Sequence, residues 1–215
     1  MSPARAARRS GPGQCGSHEK LRRQFPTERS LQVSIVTENR TTVWAIDPAH
    51  SFIEFAVKHM VFATAKGRFS VFSGQVVVPD GNIERTRIEV SIDGDSVDTH
   101  DAKRDEHLRS DDFFGVGQHP KITFVSTSVE PDGGDRYKIM GDLTIKGITK
   151  PVLLYATFNG RGTNPWGQSV AGFSATGAVD RKEWGLNWNT ALEAGGMLVG
   201  DEVRISIETE LIEQN

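Results

Sequence analysis

From Thr42 onward, apolar and polar residues alternate with a period of two, the pattern of strands that bury one face. Ile53, Phe55 and Val57 alternate with Glu54, Ala56 and Lys58, and Ile88, Val90 and Ile92 with Arg87, Glu89 and Ser91. Tyr137, Ile139, Gly141, Leu143 and Ile145 alternate with Lys138, Met140, Asp142 and Thr144. Val203, Ile205, Ile207 and Leu211 alternate with Arg204, Ser206, Glu208 and Glu210. Val152, Leu154, Ala156 and Phe158 share one face, although Leu153 and Tyr155 make the other apolar as well. Weaker runs cover 43–47, 69–78, 122–129 and 170–179. Between the runs stand Asp80-Gly81, Asp132-Gly133-Gly134, Asn159-Gly160 and Asn164-Pro165-Trp166-Gly167. These predict turns, because Gly and Asn accept positive φ and Pro presets its own. Lys146-Gly147-Ile148-Thr149 joins two strong runs and predicts a hairpin.

Two segments depart from the alternation. Asp101–Ser110 (DAKRDEHLRS) is rich in helix formers and predicts one short helix, with Thr99 or Asp101 as N-cap. Lys182–Leu186 predicts a helical turn. Neither an internal repeat nor a βαβ alternation is present. Many strands joined by short turns predict an antiparallel sandwich or barrel.

The first 41 residues are of another kind. Ser, Pro, Gly and Arg dominate there, and too few apolar residues are present to offset chain entropy. They predict a disordered basic tail (1–41) ahead of a single domain (42–215), with Leu31–Ile35 as a marginal extra strand. Residues 1–40 carry eight basic and three acidic side chains, net +5; against −3 for all 215 residues this leaves −8 on the rest. An acidic body does not suit a phosphate backbone, so no nucleic-acid partner is expected. The single cysteine, Cys15, excludes an intramolecular disulfide and a cysteine-based zinc site. No apolar run approaches the ~20 residues of a transmembrane helix. No secretory h-region follows the N-terminal arginines. The expected location is cytoplasmic.

Candidate chemistry is sparse. Five of the six histidines lie at 50, 59, 100, 107 and 119. Their spacing does not bring three ligands together, so no metal is expected; His59, beside Met60-Val61-Phe62, is the one expected next to a pocket. Arg104-Asp105-Glu106-His107 reads either as a charged cluster at a site mouth or as a solvated helix face. No nucleophile elbow, P-loop or dinucleotide fingerprint is present; no catalytic residue and no cofactor are expected. Phenylalanines are spread over nearly every element. They read either as ordinary core or as the wall of an apolar cavity, since an eight-stranded barrel can be filled or can hold one ligand.

Several blocks, in order, resemble one family. They are Ile46-Asp47-Pro48-Ala49-His50-Ser51-Phe52-Ile53-Glu54-Phe55, Lys66-Gly67-Arg68-Phe69 and Phe72-Ser73-Gly74. Arg104–Ser110 (RDEHLRS) follows, then Phe113-Phe114 and His119-Pro120-Lys121-Ile122-Thr123-Phe124. Gly141–Val152 (GDLTIKGITKPV), Trp166-Gly167, Ala171–Ala175 (AGFSA) and Gly200-Asp201-Glu202-Val203 complete the set. From about Trp44 to Glu210 the chain resembles the YceI-like, polyisoprenoid-binding proteins. The resemblance implies an all-β, antiparallel lipocalin-like barrel of about eight strands, with one short helix near 101–110. It implies a long-chain lipid such as a polyisoprenoid as partner, and a homodimer. Family members are often exported, and Asn164 stands where an acidic residue is frequent. On this reading the apolar wall is Phe55, Phe69, Phe72, Phe113, Phe114, Phe124, Leu143, Leu154 and Phe173. The polar mouth is His59, Arg104 and His107. An enzyme acting on an isoprenoid or quinone-like substrate in the same cavity, and a scaffold with a filled core, are the alternatives.

Overall fold

The structure is a computed structural model and describes residues 40–193 and 195–214. The expected tail (except Arg40 and Thr41), the 31–35 strand and Cys15 lie outside the described residues. Among the described residues the chain forms β1 (Thr42–Ile46), β2 (Phe52–His59), β3 (Ala63–Phe69), β4 (Phe72–Val78), β5 (Arg87–Asp93) and β6 (Val97–Asp98). The helix α1 (Ala102–Arg109) comes next, followed by β7 (Lys121–Pro131), β8 (Arg136–Ile145), β9 (Ile148–Thr163), β10 (Ser169–Asp180) and β11 (Val199–Gln214).

All strand pairs are antiparallel. The order β1-β4-β5-β7-β8-β9-β10-β11 closes on itself, because β11 returns to β1 from Ile46↔Leu211 to Val43↔Gln214. Eight strands thus make a barrel, and closure leaves these strands no free edge to aggregate. Beyond β1, the same side of β11 is taken by β2, from Phe52↔Glu208 to His59↔Val199. β3 folds back on β2, and β6 pairs with Arg68 and Phe69 of β3.

One end of the barrel is covered by α1. Asp101 caps the helix by accepting from Lys103 N and Arg104 N, both at 3.1 Å, which satisfies two orphan donors. Asp105 is buried and accepts from Thr99 N (2.9 Å) and Thr99 Oγ1 (2.5 Å). Arg109 donates to Asp95 O and Val97 O. These bonds fasten the helix to β6. The segment after it reaches the β8–β9 hairpin, where Lys146 Nζ donates to Asp111 O. That hairpin has Lys146 and Gly147 at φ +50° and +73°, the two-residue geometry that suits strand twist. The predicted helical turn is a 3₁₀ turn over Arg181–Trp184.

Three readings of the sequence change. The run 69–78 is two strands that turn at Ser70-Val71. Asn159-Gly160 is no turn: it lies inside β9 opposite Gly172/Phe173, where the register slips by one residue. Gly there relieves a bulge rather than reversing the chain. The β3 strand was hidden, because its inward positions Ala63, Ala65 and Gly67 are too small to show as apolar alternation. A further bulge at Ser126/Ser128 explains why 122–129 alternates weakly. Ile122 and Phe124 are buried before it, and Val129 after it, on opposite parity.

Gly141 permits a close approach. A Cβ there would meet the Phe124 ring at 2.3 Å and Val125 O at 2.8 Å. Gly141→Ala is expected to cost about 1–3 kcal/mol as overpacking, read as a lower midpoint in urea with an unchanged slope.

The barrel cavity as candidate functional site

The inward faces of the strands do not meet. They enclose a cavity of about 860 Å³ that runs from the helix end of the barrel to the far end. This lies in the usual range of small-molecule sites, about 300–1,000 Å³. At the helix end its lining includes Phe55, Phe69, Phe113, Leu108 and Trp188; at the far end it includes Trp44, Val78, Ile83, Tyr137 and Phe158. The middle is lined by Phe72, Phe124, Leu143, Leu154 and Ile207.

All nine residues expected on an apolar wall face this cavity, Phe114 and Phe173 among them. Phe69, Phe72, Phe113, Phe124, Leu143 and Leu154 are buried; Phe55, Phe114 and Phe173 are half-buried. Two ring clusters organise the helix end. Phe69 stacks between Phe55 and Phe114, with centroids 5.7 Å from each. His107, Phe113 and Trp188 form the second, with His107 edge-on at 5.1 and 4.6 Å from the other two. Trp188 comes from the irregular stretch between β10 and β11, where no periodicity could mark it. Phe158 and Phe173 pair at 5.2 Å toward the far end.

His59, Arg104 and His107 also border the cavity, all at the helix end. Each is placed by a different element. His59 closes β2 opposite Val199. Arg104 donates from Nε to Thr99 Oγ1 and from Nη2 to Thr99 O, both at 2.7 Å. His107 Nε2 lies 2.9 Å from Asp112 Oδ2. Arg104 and His107 therefore stand at the rim already held by protein groups. The run Arg104–His107 divides accordingly, with Asp105 buried as a fastening and Glu106 exposed.

Other polar groups touch the cavity. Arg181 is buried, donates from Nε to Gly200 O (2.9 Å) and from Nη1 to the carbonyls of Leu186 and Trp188, and lies 3.6 Å from Asp201. It fixes the segment that carries Trp188. Burial holds its guanidinium below its ordinary pKa, against the pull of Asp201 and Asp180. Buried and without a hydrogen-bond partner among the described residues are Arg181 Nη2 and Thr86 Oγ1. Sequence reading missed both residues, since neither sits in a motif.

Away from the cavity lining, His50 Nδ1 lies 2.7 Å from Asp47 Oδ2 and 3.8 Å from Glu210 Oε1. The Asp47 hydrogen bond holds His50 above its ordinary pKa, and the same bond holds Asp47 below its own. The pair therefore stabilises the fold between those two pKa values. It is lost as pH rises through the raised His50 pKa, or falls through the lowered Asp47 pKa. NMR titration of His50 is expected to show the raised value, and Asp47→Asn to bring it back toward the ordinary one.

An antiparallel eight-stranded barrel with an apolar interior running its length defines the class of protein. Residues 44–211 match the YceI-like domain, and the chain belongs to that family. A UPF0312 protein of Pectobacterium atrosepticum is 44% identical over 137 residues, covering 64% of this chain and 71% of that one. A UPF0312 protein of Staphylococcus aureus is 38% identical over 170 residues, covering 79% of this chain and 96% of that one. Among solved structures, Burkholderia cenocepacia BcnA superposes with a TM-score of 0.66 at 27% identity, over 77% of this chain and 98% of that one. A Campylobacter jejuni YCEI protein gives 0.63 at 28%, over 74% and 90%. A polyisoprenoid binding domain from Saccharophagus degradans shares the fold, at 0.57 and 14% identity over 80% and 98%. No helix among the described residues is long and apolar enough to cross a membrane.

Proposed function

We propose that this protein is a non-catalytic binding protein that carries a long-chain, isoprenoid-like amphiphile in the barrel. The observation that carries the reading is the cavity itself: about 860 Å³, walled mostly by apolar side chains along its length, with His59, Arg104 and His107 at the helix end. A filled core would leave no such space, because protein interiors pack as densely as organic crystals. An apolar chain in this cavity is held by the area removed from water, about 25 cal/mol per Å². Such binding needs no reacting group. The wall that grips the chain is Phe55, Phe69, Phe72, Phe113, Phe114, Phe124, Leu143, Leu154 and Phe173. His59, Arg104 and His107 meet the polar head. The polyisoprenoid-binding protein that shares the fold supports the choice of chain type.

Native mass spectrometry of the purified chain, with solvent extraction of its contents, tests the reading. The expected result is a discrete lipid at about one per chain, or uptake of an added polyprenol to that level. A protein that is empty and ignores polyprenols and fatty amphiphiles would overturn it.

A further inference from the structure

Beside the polar rim, the β2–β3 hairpin ends on three apolar residues in succession, Met60-Val61-Phe62. Val61 is 68% exposed and Phe62 79%. Met197, from the stretch before β11, stands next to Val61 and is 47% exposed. The apex is tied to that stretch by Met60 N donating to Leu198 O at 2.9 Å.

Folding does not ask for these residues. Met60 and Val61 have φ of +51° and +70°, a region that favours Gly and Asn and is worst for a β-branched side chain. Phe62 N donates to Met60 O at 2.9 Å, which makes Val61 the centre of a γ-turn with positive φ, the rare and strained kind. A hairpin chosen for stability would carry Asn-Gly at such a tip. Here the strained positions are filled by side chains that gain nothing from water. Strain of this sort persists where it serves function.

Three lysines flank the apex, alongside Glu54 and Asp101 on the cavity border and Glu193 in the turn before Met197. Lys58 and Lys66, on the outer face of the hairpin, and Lys103, in the first turn of α1, all border the cavity. None of the three is in an ion pair among the described residues. Asp201, the carboxylate behind Met197, is taken by Lys182 at 2.8 Å and Arg181 at 3.6 Å. The apex is also continuous with the cavity lining, since His59 lines the cavity and Met60 follows it directly.

We propose that this apex docks the barrel on an anionic phospholipid bilayer. Val61, Phe62 and Met197 enter the acyl boundary, and Lys58, Lys66 and Lys103 meet the headgroups. The rim at His59 then faces the membrane, and an amphiphile passes between bilayer and cavity without crossing water. A few apolar side chains with a few cations give weak, reversible attachment, which suits a carrier that must leave again. The proposal rests on reading the cavity as an amphiphile site.

The test is co-sedimentation of the full chain with vesicles of phosphatidylcholine and phosphatidylglycerol (3:1), and with phosphatidylcholine alone. Phe62→Asp is expected to lower partitioning about tenfold on the mixed vesicles, from the lost burial of one aromatic side chain. Phe62→Leu is expected to retain most of it. Lys58→Glu with Lys66→Glu is expected to weaken binding to the anionic vesicles only. The basic residues 1–40 are present in every variant, so their contribution cancels. Partitioning by Phe62→Asp equal to the parent's, or no binding by the parent, overturns the proposal. So does a change confined to self-association by light scattering, which would make the apex a contact between copies of this chain. Uptake of a polyprenol added from ethanol without vesicles is measured alongside. Phe62→Asp is expected to keep that uptake while filling more slowly from vesicles. A parent that takes up no amphiphile by either route ends the cavity reading, while the vesicle comparison still decides the docking.

Discussion

Trp184→Ala is expected to lower the unfolding free energy by about 3–5 kcal/mol, the usual cost of removing a buried Trp side chain. Among the described residues Trp184 is the largest fully buried side chain, 1% exposed. It sits in the 3₁₀ turn after β10 and packs into the core with Leu143, Val152 and Leu186. Its Nε1 donates to Leu143 O at 3.0 Å, so truncation also leaves a buried carbonyl less satisfied. A domain of this size loses roughly 2–4 °C per kcal/mol, so thermal unfolding followed by circular dichroism should shift by about 10 °C. Trp184→Phe keeps most of the packing and loses the hydrogen bond; a shift of about 3 °C is expected from roughly 1 kcal/mol. Equal midpoints for Trp184→Ala and the parent would remove this residue from the core. The change also matters for the cavity, because Arg181 in the same turn holds the carbonyls of Leu186 and Trp188. Loosening the turn frees the stretch that sets Trp188 against His107 and Phe113 at the helix end.

How far the sequence reveals this arrangement differs between fold and site. β2, β5 and β8 stand out because each keeps one parity along its length, and β11 does so from Val203 onward, past an irregular start. β7 contains a bulge that flips its parity halfway and weakens the pattern; β9 keeps one parity over Val152–Phe158, blurred by Leu153 and Tyr155 on the other face, and its bulge comes after that run. At Asn159-Gly160 the bulge imitates a turn. β3 fails for another reason. Its inward Gly67 has to be small, since a Cβ there would meet the Phe55 ring at 2.4 Å, and small residues leave no hydrophobic trace. α1 was visible through its cap and helix formers rather than through amphipathicity, for only Asp105 of its residues is buried. The cavity itself could not be read. Phe72 and Phe124 alternate in the same way whether the opposite wall touches them or stands back. Nor could Trp188 and Arg181 be placed, because their positions are set by long-range hydrogen bonds to carbonyls and not by local spacing.

Phe173→Asp is expected to abolish amphiphile uptake while leaving the barrel folded. Phe173 lies in β10, half-buried on the cavity wall, with its ring 5.2 Å from Phe158. Its backbone pairs with Phe158 and Thr209 whatever side chain it carries, so the ladder survives the substitution. A carboxylate at this point has two options. It can shed its water when a chain enters, at a desolvation cost of several kcal/mol. Otherwise it keeps its water and blocks the far half of the cavity. Either way the bound state loses more than the 1.5–3 kcal/mol that burying one phenylalanine contributes. Uptake should therefore fall by more than tenfold, measured as polyprenol occupancy by native mass spectrometry, with circular dichroism to confirm the fold. Phe173→Leu keeps an apolar wall and is expected to retain uptake within a few-fold. The same measurement locates the chain. Wild-type occupancy in a folded Phe173→Asp variant would confine the ligand to the helix half, between Phe72 and the rim at His59. Loss of occupancy in that variant would mean that the chain runs past Phe158 toward Trp44 and Tyr137, and that cavity length, not the rim, sets which amphiphiles fit.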